Sequence, residues 1–510
     1  MNPREGESLR PPSRTGSSLA FAALAVVLLL AYQPALRGAF VWDDLDFVVD
    51  TTWFDAPDGL RQIWLDPSST SQYYPLTYSS HWLENRVFGR ETAGYHLVNV
   101  ALHGANVLLL WLVLRRLAVP GALFAAALFA LHPVHVESVA WISERKNVLS
   151  GLFFLAALLA WLRCSAPEAE PVRIRPGWYA LCLALYVAAL LSKSVTCALP
   201  AVILLLLWWK RGRVSATTLR ALLPMFVVGI GFALLTVWLE RNQVGASGVE
   251  FQLSALDRVT IAGRALWFYA GKLVWPEPLI FIYPRWPTAT EQPWQLVFPL
   301  AFVLVVGVLW WRRARFGRGP LVAVLLFAGI LLPALGFFDV YPMRYSFVAD
   351  HFQYLASATL LTLVAALATV VARRALGSER RAAALGVLVC ALLAVLTLRQ
   401  SSAFATPERL WRDTIVKNPA AWMAMNNLAY ELQQQGRARE AVGYVREAIR
   451  VNPSCYECYG NLADAYRAYG DEASAKQVFV DLAALLLRQQ RESGDAPPEP
   501  QAGEGADAEE

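Results

Sequence analysis

The sequence predicts an all-α protein: a polytopic bundle of membrane-spanning helices followed by a short array of helical repeats. The 510 residues are 56% hydrophobic, with a mean hydropathy of +0.39, which is typical of multi-pass membrane proteins and too apolar for an ordinary soluble enzyme. After the last apolar segment, residues recur with a 34-residue period. We therefore divide the chain into an N-terminal tail (1–16), a transmembrane domain (17–400) with a large first outer loop (38–94), a repeat region (404–490) and a disordered acidic tail (491–510).

Eleven segments are candidates for membrane-spanning helices, since a span needs about 20 mostly apolar residues. We interpret the first as a retained helix because no small-x-small cleavage site of a signal peptide follows it. Two short segments are interpreted as a tight hairpin around Lys193. The segments lie near residues 17–37, 95–114, 119–136, 147–163, 177–191, 195–209, 221–240, 294–311, 319–338, 353–372 and 381–398.

The charge distribution predicts the orientation. Lysine and arginine of the short loops fall on one side if the N-terminus is cytoplasmic, and most acidic residues fall on the other. This agreement requires residues 255–275 to lie on the outer surface as an amphipathic helix; the alternative is a twelfth span. The formal net charge of +5 then reflects topology, not nucleic-acid binding. We expect a bacterial inner-membrane protein whose repeat region is periplasmic.

The C-terminal region repeats itself every 34 residues. Gly436 and Gly470 are related in this way, as are Ala441 and Ala475. This period, with small residues where two helices touch, is typical of the tetratricopeptide repeat (TPR) and predicts an α-solenoid of about two and a half repeats. Such arrays mostly bind peptide or protein; the alternative is a stacking platform without a ligand. Because the predicted periplasmic side is oxidising, Cys455 and Cys458 of Cys455-Tyr-Glu-Cys458 could form a local disulfide.

An acidic pair, Asp43 and Asp44, follows the first span. Two adjacent carboxylates at a membrane surface are costly, so one usually has a shifted pKa or a cationic partner. A second polar cluster begins at His132-Pro-Val-His135 and includes Glu137. Together they predict an active site on the non-cytoplasmic face.

Histidines are confined to this predicted outer side. His96 and His103 share one helix face with Asn99 and Asn106, which suggests a wet cavity. Further candidate site residues on this side are His96, His103, His132, His135 and Asp350.

Cations also reach the outer face. Lys193 has no acidic residue nearby in sequence, and a lone intramembrane lysine requires an anion. Arg344, Asp350, His351 and Tyr354 are expected to cluster at another helix end. Carboxylates opposite cations suit transfer of a group from a phosphate, because a base deprotonates the acceptor hydroxyl while cations stabilise the leaving phosphate.

Structural explanations remain open for each feature. The acidic pair could cap an interfacial helix. His132 and His135 could bind a divalent metal with Glu137, although hydrogen bonding is the simpler role. Glu144-Arg-Lys146 could be a solvated helix end, and Lys193 could extend to the interface.

Several motifs together resemble a known family. They are Phe40-Val-Trp-Asp-Asp44, Tyr74-Pro-Leu-Thr-Tyr78, Tyr95-His-Leu-Val-Asn-Val-Ala-Leu-His103, His132-Pro-Val-His-Val-Glu-Ser-Val-Ala140, Leu191-Ser-Lys193 and the C-terminal repeats. In this order they resemble the TPR-bearing transmembrane O-mannosyltransferases and their bacterial relatives, which belong to the GT-C class of glycosyltransferases. The resemblance extends from about residue 20 to residue 485.

The resemblance implies an inverting membrane glycosyltransferase. Its donor would be a polyprenyl-phosphate sugar such as the mannose derivative, and its acceptor a protein hydroxyl. The catalytic residues would be Asp43, with Asp44 as its partner, and Glu137. Charge and topology add Arg145, Lys193, Arg344 and His351 as candidates for the donor phosphate; no metal ligand is assigned.

The chain also departs from the family's pattern. It has only two full repeats, and its Arg344-Tyr-Ser-Phe-Val-Ala-Asp350 segment differs from the motif of the eukaryotic relatives. Two alternatives therefore stand beside protein glycosylation. One is the same chemistry on a glycan or lipid acceptor, and the other is a non-catalytic scaffold of the cell envelope that uses its repeats.

Overall fold

The structure is a computed structural model that describes residues 14–49, 51–164, 174–246 and 248–493. These residues form α-helices joined by short helical turns and loops, and none of them is in a β-strand, which confirms the all-α prediction. Of the predicted tails (1–16 and 491–510), residues 1–13 and 494–510 lie outside the described residues, whereas residues 14–16 and 491–493 belong to helices. The chain divides into two compact units at residues 410 and 411.

The first unit is a helical bundle. Its helices are α1 (Arg14–Ala31), α2 (Gln33–Leu36), α3 (Gly59–Leu65), α4 (Pro75–Phe88), α5 (Thr92–Arg116), α6 (Ala122–Leu131), α7 (Val136–Ala140), α8 (Arg145–Cys164), α9 (Pro176–Ser192), α10 (Leu199–Arg211), α11 (Ala216–Leu239), α12 (Ala255–Val274), α13 (Val297–Trp311), α14 (Arg313–Phe316), α15 (Gly319–Leu331), α16 (Tyr354–Leu376) and α17 (Glu379–Ser401).

Apolar helices occur at all eleven predicted spans. Seven described helical stretches are long and apolar enough to cross a membrane: Thr92–Arg116, Ile142–Cys164, Ser194–Arg211, Ala216–Val244, Pro293–Trp311, Asp350–Leu376 and Glu379–Ala405. One further candidate is bent, and three are shorter: Ser18–Ala31, Pro176–Ser192 and Gly319–Ala334. The chain is therefore an integral multi-pass membrane protein, while the number of spans and their orientation stay predictions.

The bent candidate has a local cause. Helices α6 and α7 meet at an angle of 54°, and Pro133 begins the turn between them. Proline has no backbone N–H and its ring clashes with the preceding helical turn, so it ends α6. The side chain of His132 accepts a hydrogen bond from the backbone N–H of Val134 at 3.4 Å, which caps the new turn.

Helices α5 and α8 form the centre of the first unit. Helix α8 packs along both α5 and α9, and α6 packs against α5 and α16. The predicted polar face of α5 points inward: His96, Asn99, His103 and Asn106 are all buried. These side chains need polar partners in the interior, because an unpaired buried polar group costs about 1–3 kcal/mol.

Helix α12 covers the ambiguous segment 255–275. Ser254 caps its N-terminus by accepting a hydrogen bond from the backbone N–H of Asp257, whose carboxylate accepts one from the backbone N–H of Ser254 in return. One face is buried, whereas Val259, Trp267 and Val274 on the other side are exposed. The helix is not among the apolar candidates for spans. That it lies on the membrane surface stays a prediction.

The second unit consists of helical hairpins. Its helices are α18 (Pro407–Lys417, which starts before the boundary), α19 (Trp422–Gln434), α20 (Ala438–Val451), α21 (Tyr456–Ala468) and α22 (Glu472–Ser493). Helix α19 packs on α20, and α21 on α22. Gly436 and Gly470 both have positive φ between paired helices, which explains the glycine at each of these repeat positions. Cys455 and Cys458 form a disulfide. Classification of the array as TPR stays a prediction.

Candidate active site

Asp43 and Asp44 have different surroundings. Asp44 is fully buried, and its carboxylate accepts hydrogen bonds from the backbone N–H of Val41 at 2.9 Å, the backbone N–H of Ser143 at 2.7 Å and the Ser143 hydroxyl. Asp43 is half-buried, and none of the described residues donates a hydrogen bond to its carboxylate. Asp44 therefore ties the loop after α2 to the turn before α8, while Asp43 retains its hydrogen-bonding capacity.

Both carboxyl groups have raised pKa values. Burial raises the pKa of Asp43 to about 7; the Lys146 ammonium lowers it, and the neighbouring carboxylates of Asp44, Asp46 and Glu144 raise it further. Burial also raises the pKa of Asp44 to about 6, although its hydrogen bonds from Ser143 and Val41 oppose this shift. Asp43 consequently changes protonation state near neutral pH, as a general base must.

Glu144 gathers two lysines. Its carboxylate lies 2.9 Å from Nζ of Lys146 and 3.2 Å from Nζ of Lys193, and it accepts a hydrogen bond from Nδ2 of Asn147 at 2.6 Å. Lys193 also donates to Oδ1 of Asn147 at 2.7 Å. The Lys146 and Lys193 side chains are 13% and 15% exposed, whereas Glu144 is 1% exposed. We call these four residues the Glu144 cluster.

The Glu144 cluster combines two cations with one buried anion. Its net charge is positive when both lysines are protonated, and only the lysines reach solvent. An incoming anion would therefore meet the ammonium groups first. The interpretation of Glu144-Arg-Lys146 as a solvated helix end is wrong, because Glu144 and Arg145 are both buried.

Glu137 and His351 form a buried pair next to this cluster. Oε1 of Glu137 lies 2.8 Å from Nδ1 of His351, and Oε2 accepts a hydrogen bond from the backbone N–H of His351 at 3.2 Å. The backbone carbonyl of His351 accepts from Nδ2 of Asn147 at 3.0 Å. Nε2 of His351 is 3.9 Å from Glu144. The pair thus connects the short helix α7 and the start of α16 to the Glu144 cluster.

Arg145 belongs to a separate, closed group. It is fully buried, donates to the Glu84 carboxylate and to Oδ1 of Asn99, and donates to the backbone carbonyl of Tyr95 at 3.0 Å. Its Nη1 also lies 3.4 Å from Oγ of Ser80. We call these five residues the Arg145 cluster. Its guanidinium joins α4 and α5 to the start of α8, and its role as a phosphate ligand stays a prediction.

The remaining arginine candidate lies elsewhere. Nε of Arg344 is 3.1 Å from the Glu250 carboxylate, and Tyr283 donates to both carboxylate oxygens of Asp350, at 3.1 and 3.0 Å. Tyr354 bonds instead with Nδ1 of His103 at 2.8 Å. The described contacts of Arg344, Asp350, His351 and Tyr354 are made with different neighbours, and their grouping into one cluster stays a prediction.

Most histidines hold the bundle interior together. His103 Nε2 lies 3.2 Å from the carbonyl oxygen of Ala130. Nε2 of His132 is 3.1 Å from the Leu273 carbonyl oxygen. His135 contacts the Phe129 carbonyl oxygen at 2.7 Å and the Ser357 hydroxyl at 2.8 Å. His81 and His96 are buried as well. Along α5, His103 is paired with protein groups, whereas both ring nitrogens of His96 are buried without a hydrogen-bond partner among the described residues, and the wet cavity stays a prediction.

The metal hypothesis finds no geometric support in the described part of the chain. There, no three histidine, cysteine, aspartate or glutamate side chains are grouped so that they could hold a metal ion. His132 and His135 point their ring nitrogens at backbone carbonyls and at Ser357 instead.

The sequence analysis did not single out the residues that pair with the site candidates. Ser143, Asn147 and Glu84 carry hydrogen bonds or ion pairs to Asp44, Lys193 and Arg145 respectively. Only proximity to Glu144-Arg-Lys146 pointed to Ser143 and Asn147. Glu84 lies 61 residues from Arg145, and no local pattern reports such a distance.

No family model matches the chain. Curated relatives do match it. The chain is 25% identical over 484 residues to "Protein O-mannosyl-transferase F38B6.6" of Caenorhabditis elegans, covering 87% of this chain and 65% of the relative. It is 24% identical over 568 residues to "Protein O-mannosyl-transferase Tmtc3" of Drosophila melanogaster, covering 95% of this chain and 60% of the relative.

A shorter match is closer in sequence. The chain is 32% identical over 206 residues to "Protein O-mannosyl-transferase TMTC1" of Mus musculus, which covers 37% of this chain and 22% of the relative. The chain spans less than two thirds of the length of these relatives. The resemblance inferred from the motifs is confirmed: this chain is a homologue of proteins named as O-mannosyl-transferases.

Proposed function

We propose that this chain is a glycosyltransferase that moves a hexose, such as mannose, from a polyprenyl-phosphate donor to a serine or threonine hydroxyl of a protein. The reaction takes place on the non-cytoplasmic face, with inversion at the anomeric carbon, as in the GT-C class. The names of the relatives support the sugar and the protein acceptor. Charge and chemistry of the first unit support the donor class and the residue roles.

One observation carries the proposal. The Asp43 carboxylate is half-buried, and none of the described residues donates a hydrogen bond to it. It interacts electrostatically with Lys146 of the Glu144 cluster. A carboxylate whose pKa is about 7 accepts a proton more readily than an ordinary aspartate. The two partly exposed lysines nearby supply the opposite charge that a leaving phosphate requires.

The proposed reaction is a single displacement. Asp43 accepts the proton of the acceptor hydroxyl as its oxygen forms a bond to the anomeric carbon. The bond between that carbon and the phosphate oxygen breaks, and the phosphate keeps the electron pair. The ammonium groups of Lys146 and Lys193 stabilise this charge. Attack from the face opposite the phosphate inverts the configuration.

The other residues of the site hold these groups in position. Asp44 fastens the loop that carries Asp43 to Ser143, one residue before Glu144. Glu137 holds His351, whose backbone carbonyl in turn accepts a hydrogen bond from Asn147 of the Glu144 cluster. Glu144 keeps the two lysines together. Among the original phosphate candidates, Lys193 is therefore retained, Lys146 is added, and His351 is assigned a positioning role.

Transfer by the purified full-length protein tests the proposal. The protein in lipid nanodiscs receives radiolabelled polyprenyl-phosphate mannose and a peptide rich in serine and threonine. We expect label in the peptide, and Asp43→Asn should lower the rate by about 10²- to 10⁴-fold, the usual contribution of a general base. Asp58→Asn is the matched control, because Asp58 is an exposed aspartate of the same loop whose carboxylate accepts a hydrogen bond from the nearby Gln62 side chain.

The outcome separates the alternatives. Label that enters only a polysaccharide or lipid acceptor would keep the chemistry and change the acceptor. Equal transfer by Asp43→Asn and wild type would refute the role of Asp43. No transfer to any acceptor, combined with loss of envelope function on deletion of residues 404–490 alone, would favour the scaffold.

A further inference from the structure

Trp42 has an unusual backbone conformation. Its φ is +47°, and among the described residues only Ala118 is another non-glycine residue with positive φ. For an L-residue this conformation is unfavourable, because Cβ approaches the following carbonyl oxygen. Such strain persists only where surrounding contacts hold it, and it is common at functional sites. Trp42 immediately precedes the proposed base, Asp43.

The ring of Trp42 packs against two other aromatic rings. Its ring stacks on Trp141, with 5.5 Å between centroids and 21° between planes. Phe281 packs edge-on against both, with centroid distances of 5.5 Å to Trp42 and 5.1 Å to Trp141. We call these three residues the aromatic platform. It joins the segment that carries Asp43 to the segment that carries Glu144 and Lys146.

Two rings of the platform are buried, and the third is accessible. Trp141 is 3% exposed and Phe281 7%, whereas Trp42 is partly exposed. The indole N–H of Trp141 is buried, and none of the described residues accepts a hydrogen bond from it. Buried donors in native proteins are rarely left unpaired, so a site that keeps one is a candidate for binding a ligand with hydroxyl or phosphate oxygens.

We propose that the aromatic platform binds the hexose ring of the donor, an inference that rests on the proposed function. A hexose ring has an apolar C–H face, which suits an indole surface, and hydroxyl oxygens, which suit an indole N–H. The sugar being transferred must lie within reach of both the base and the groups that hold its phosphate. The platform adjoins Asp43 at one end and the Glu144 cluster at the other. Trp42 is then a residue that recognises the sugar.

Binding of two lipids tests the platform without relying on turnover. The probes are a short-chain polyprenyl phosphate and the same lipid carrying mannose, each titrated into the full-length protein in nanodiscs. Wild type should bind the mannosylated lipid more tightly. Trp42→Gly should weaken binding of the mannosylated lipid by about tenfold or more, which corresponds to 1.4 kcal/mol. Binding of the bare lipid phosphate should be unchanged. Glycine adopts positive φ without strain, so the backbone is expected to be retained.

Two further variants give the experiment its reference points. Lys193→Met should weaken binding of both lipids to the same extent, because it removes a proposed contact with the phosphate that both carry. Trp275→Gly should weaken neither, since Trp275 is 74% exposed and lies outside the platform. If Trp42→Gly fails to fold, Trp42→Phe provides the test, and it should weaken only the mannosylated lipid, by about threefold, because part of the aromatic surface remains.

Each result has one meaning. Equal loss of both lipids, or no loss, in Trp42→Gly would overturn the platform while the Lys193→Met result still supports the phosphate site. The same conclusion follows if wild type binds the two lipids with equal affinity. If wild type binds neither lipid, the proposed function itself fails, and the platform with it.

Discussion

Neighbouring residues Arg145 and Lys146 lie in two ionic clusters with opposite properties. Arg145 is fully buried, and its guanidinium donates to Glu84, Asn99 and a backbone carbonyl. Lys146 is partly exposed and shares Glu144 with Lys193. A planar guanidinium can satisfy several fixed acceptors at once, whereas an ammonium on a flexible stem can move toward a new anion. The Arg145 cluster is therefore suited to maintaining the fold, and the Glu144 cluster is suited to binding a ligand.

The largest expected effect comes from opening the Arg145 cluster. Arg145→Met leaves the Glu84 carboxylate buried without its cation, which should reduce stability by about 3–5 kcal/mol. The measurement is the thermal unfolding of the detergent-solubilised protein. Arg90→Met is the matched control, because Arg90 is an exposed arginine just after α4. The double variant Arg145→Met/Glu84→Met should be more stable than Arg145→Met; an equally unstable double variant would contradict the assignment.

A smaller loss of stability is expected when the hydrogen bond between the Ser143 hydroxyl and Asp44 is removed. Ser143→Ala removes the hydroxyl that donates to Asp44 and keeps the backbone donor. Hydrogen bonds to charged groups contribute about 1.5–3 kcal/mol, so the melting temperature should fall by several degrees. Ser402→Ala serves as the control, since this exposed hydroxyl, just after α17, donates to the backbone carbonyl of Arg399 three residues earlier. A silent Ser143→Ala would show that this hydrogen bond contributes little.

The Glu144 cluster should show a change in binding at little cost in stability. In Lys146→Met and in Lys193→Met the remaining lysine still pairs with Glu144, so the protein should stay folded. We expect KM for the lipid-phosphate donor to rise about tenfold in each variant, equivalent to 1.4 kcal/mol. Lys210→Met, near the far end of α10, is the control. Unchanged donor KM in both lysine variants would remove the Glu144 cluster from the donor site.

Changes of pH test Asp43 directly. The transfer rate should fall about tenfold per pH unit below about 7, because the base becomes protonated. Stability changes with the opposite sign. The folded pKa of Asp43 lies above its usual 3.8, so the folded state favours the protonated carboxyl, and this contribution is lost as the pH rises from about 4 to about 7. The melting temperature of Asp43→Asn minus that of wild type should therefore increase between pH 4.5 and pH 8. A pH-independent difference would refute the raised pKa.

The smallest effect is expected in the exposed ion pairs of the second unit. Glu440 lies 2.6 Å from Arg412 and 2.7 Å from Arg437, and all three side chains are more than a third exposed. Glu440→Gln should change stability by no more than about 1 kcal/mol, because water screens exposed pairs. The comparison is Glu84→Gln in the Arg145 cluster, measured in the same way. Equal losses at the two sites would contradict the difference in burial.

Local patterns predicted much of the fold. All eleven apolar segments coincide with apolar helices, and the capped helix α12 begins where Ser254 and Asp257 permit. Gly436 and Gly470 end up in equivalent turns with positive φ. These features depend on hydrophobic length and on neighbours three or four residues apart, which a single sequence displays.

The site was only partly predictable. Motifs singled out Asp43, Glu137 and Lys193, and the structure brings partners of each into one region. The group around Arg344 stays a prediction, and the sequence did not indicate that Arg344 pairs with Glu250. The difference between Asp43 and Asp44 was also invisible in sequence, since it depends on Ser143, 99 residues away.

The sequence by itself determined the apolar segments, their interruptions at proline and glycine, and the inventory of acids, bases and aromatic rings, because each follows from local composition. Only the tertiary structure decided which of these groups is buried, paired or accessible. Arg145 meets Glu84 across 61 residues, Lys193 meets Glu144 across 49, and His351 meets Glu137 across 214. Desolvation and hydrogen bonding act between atoms that are close in space, so the surroundings of each charged residue depend on how the helices pack.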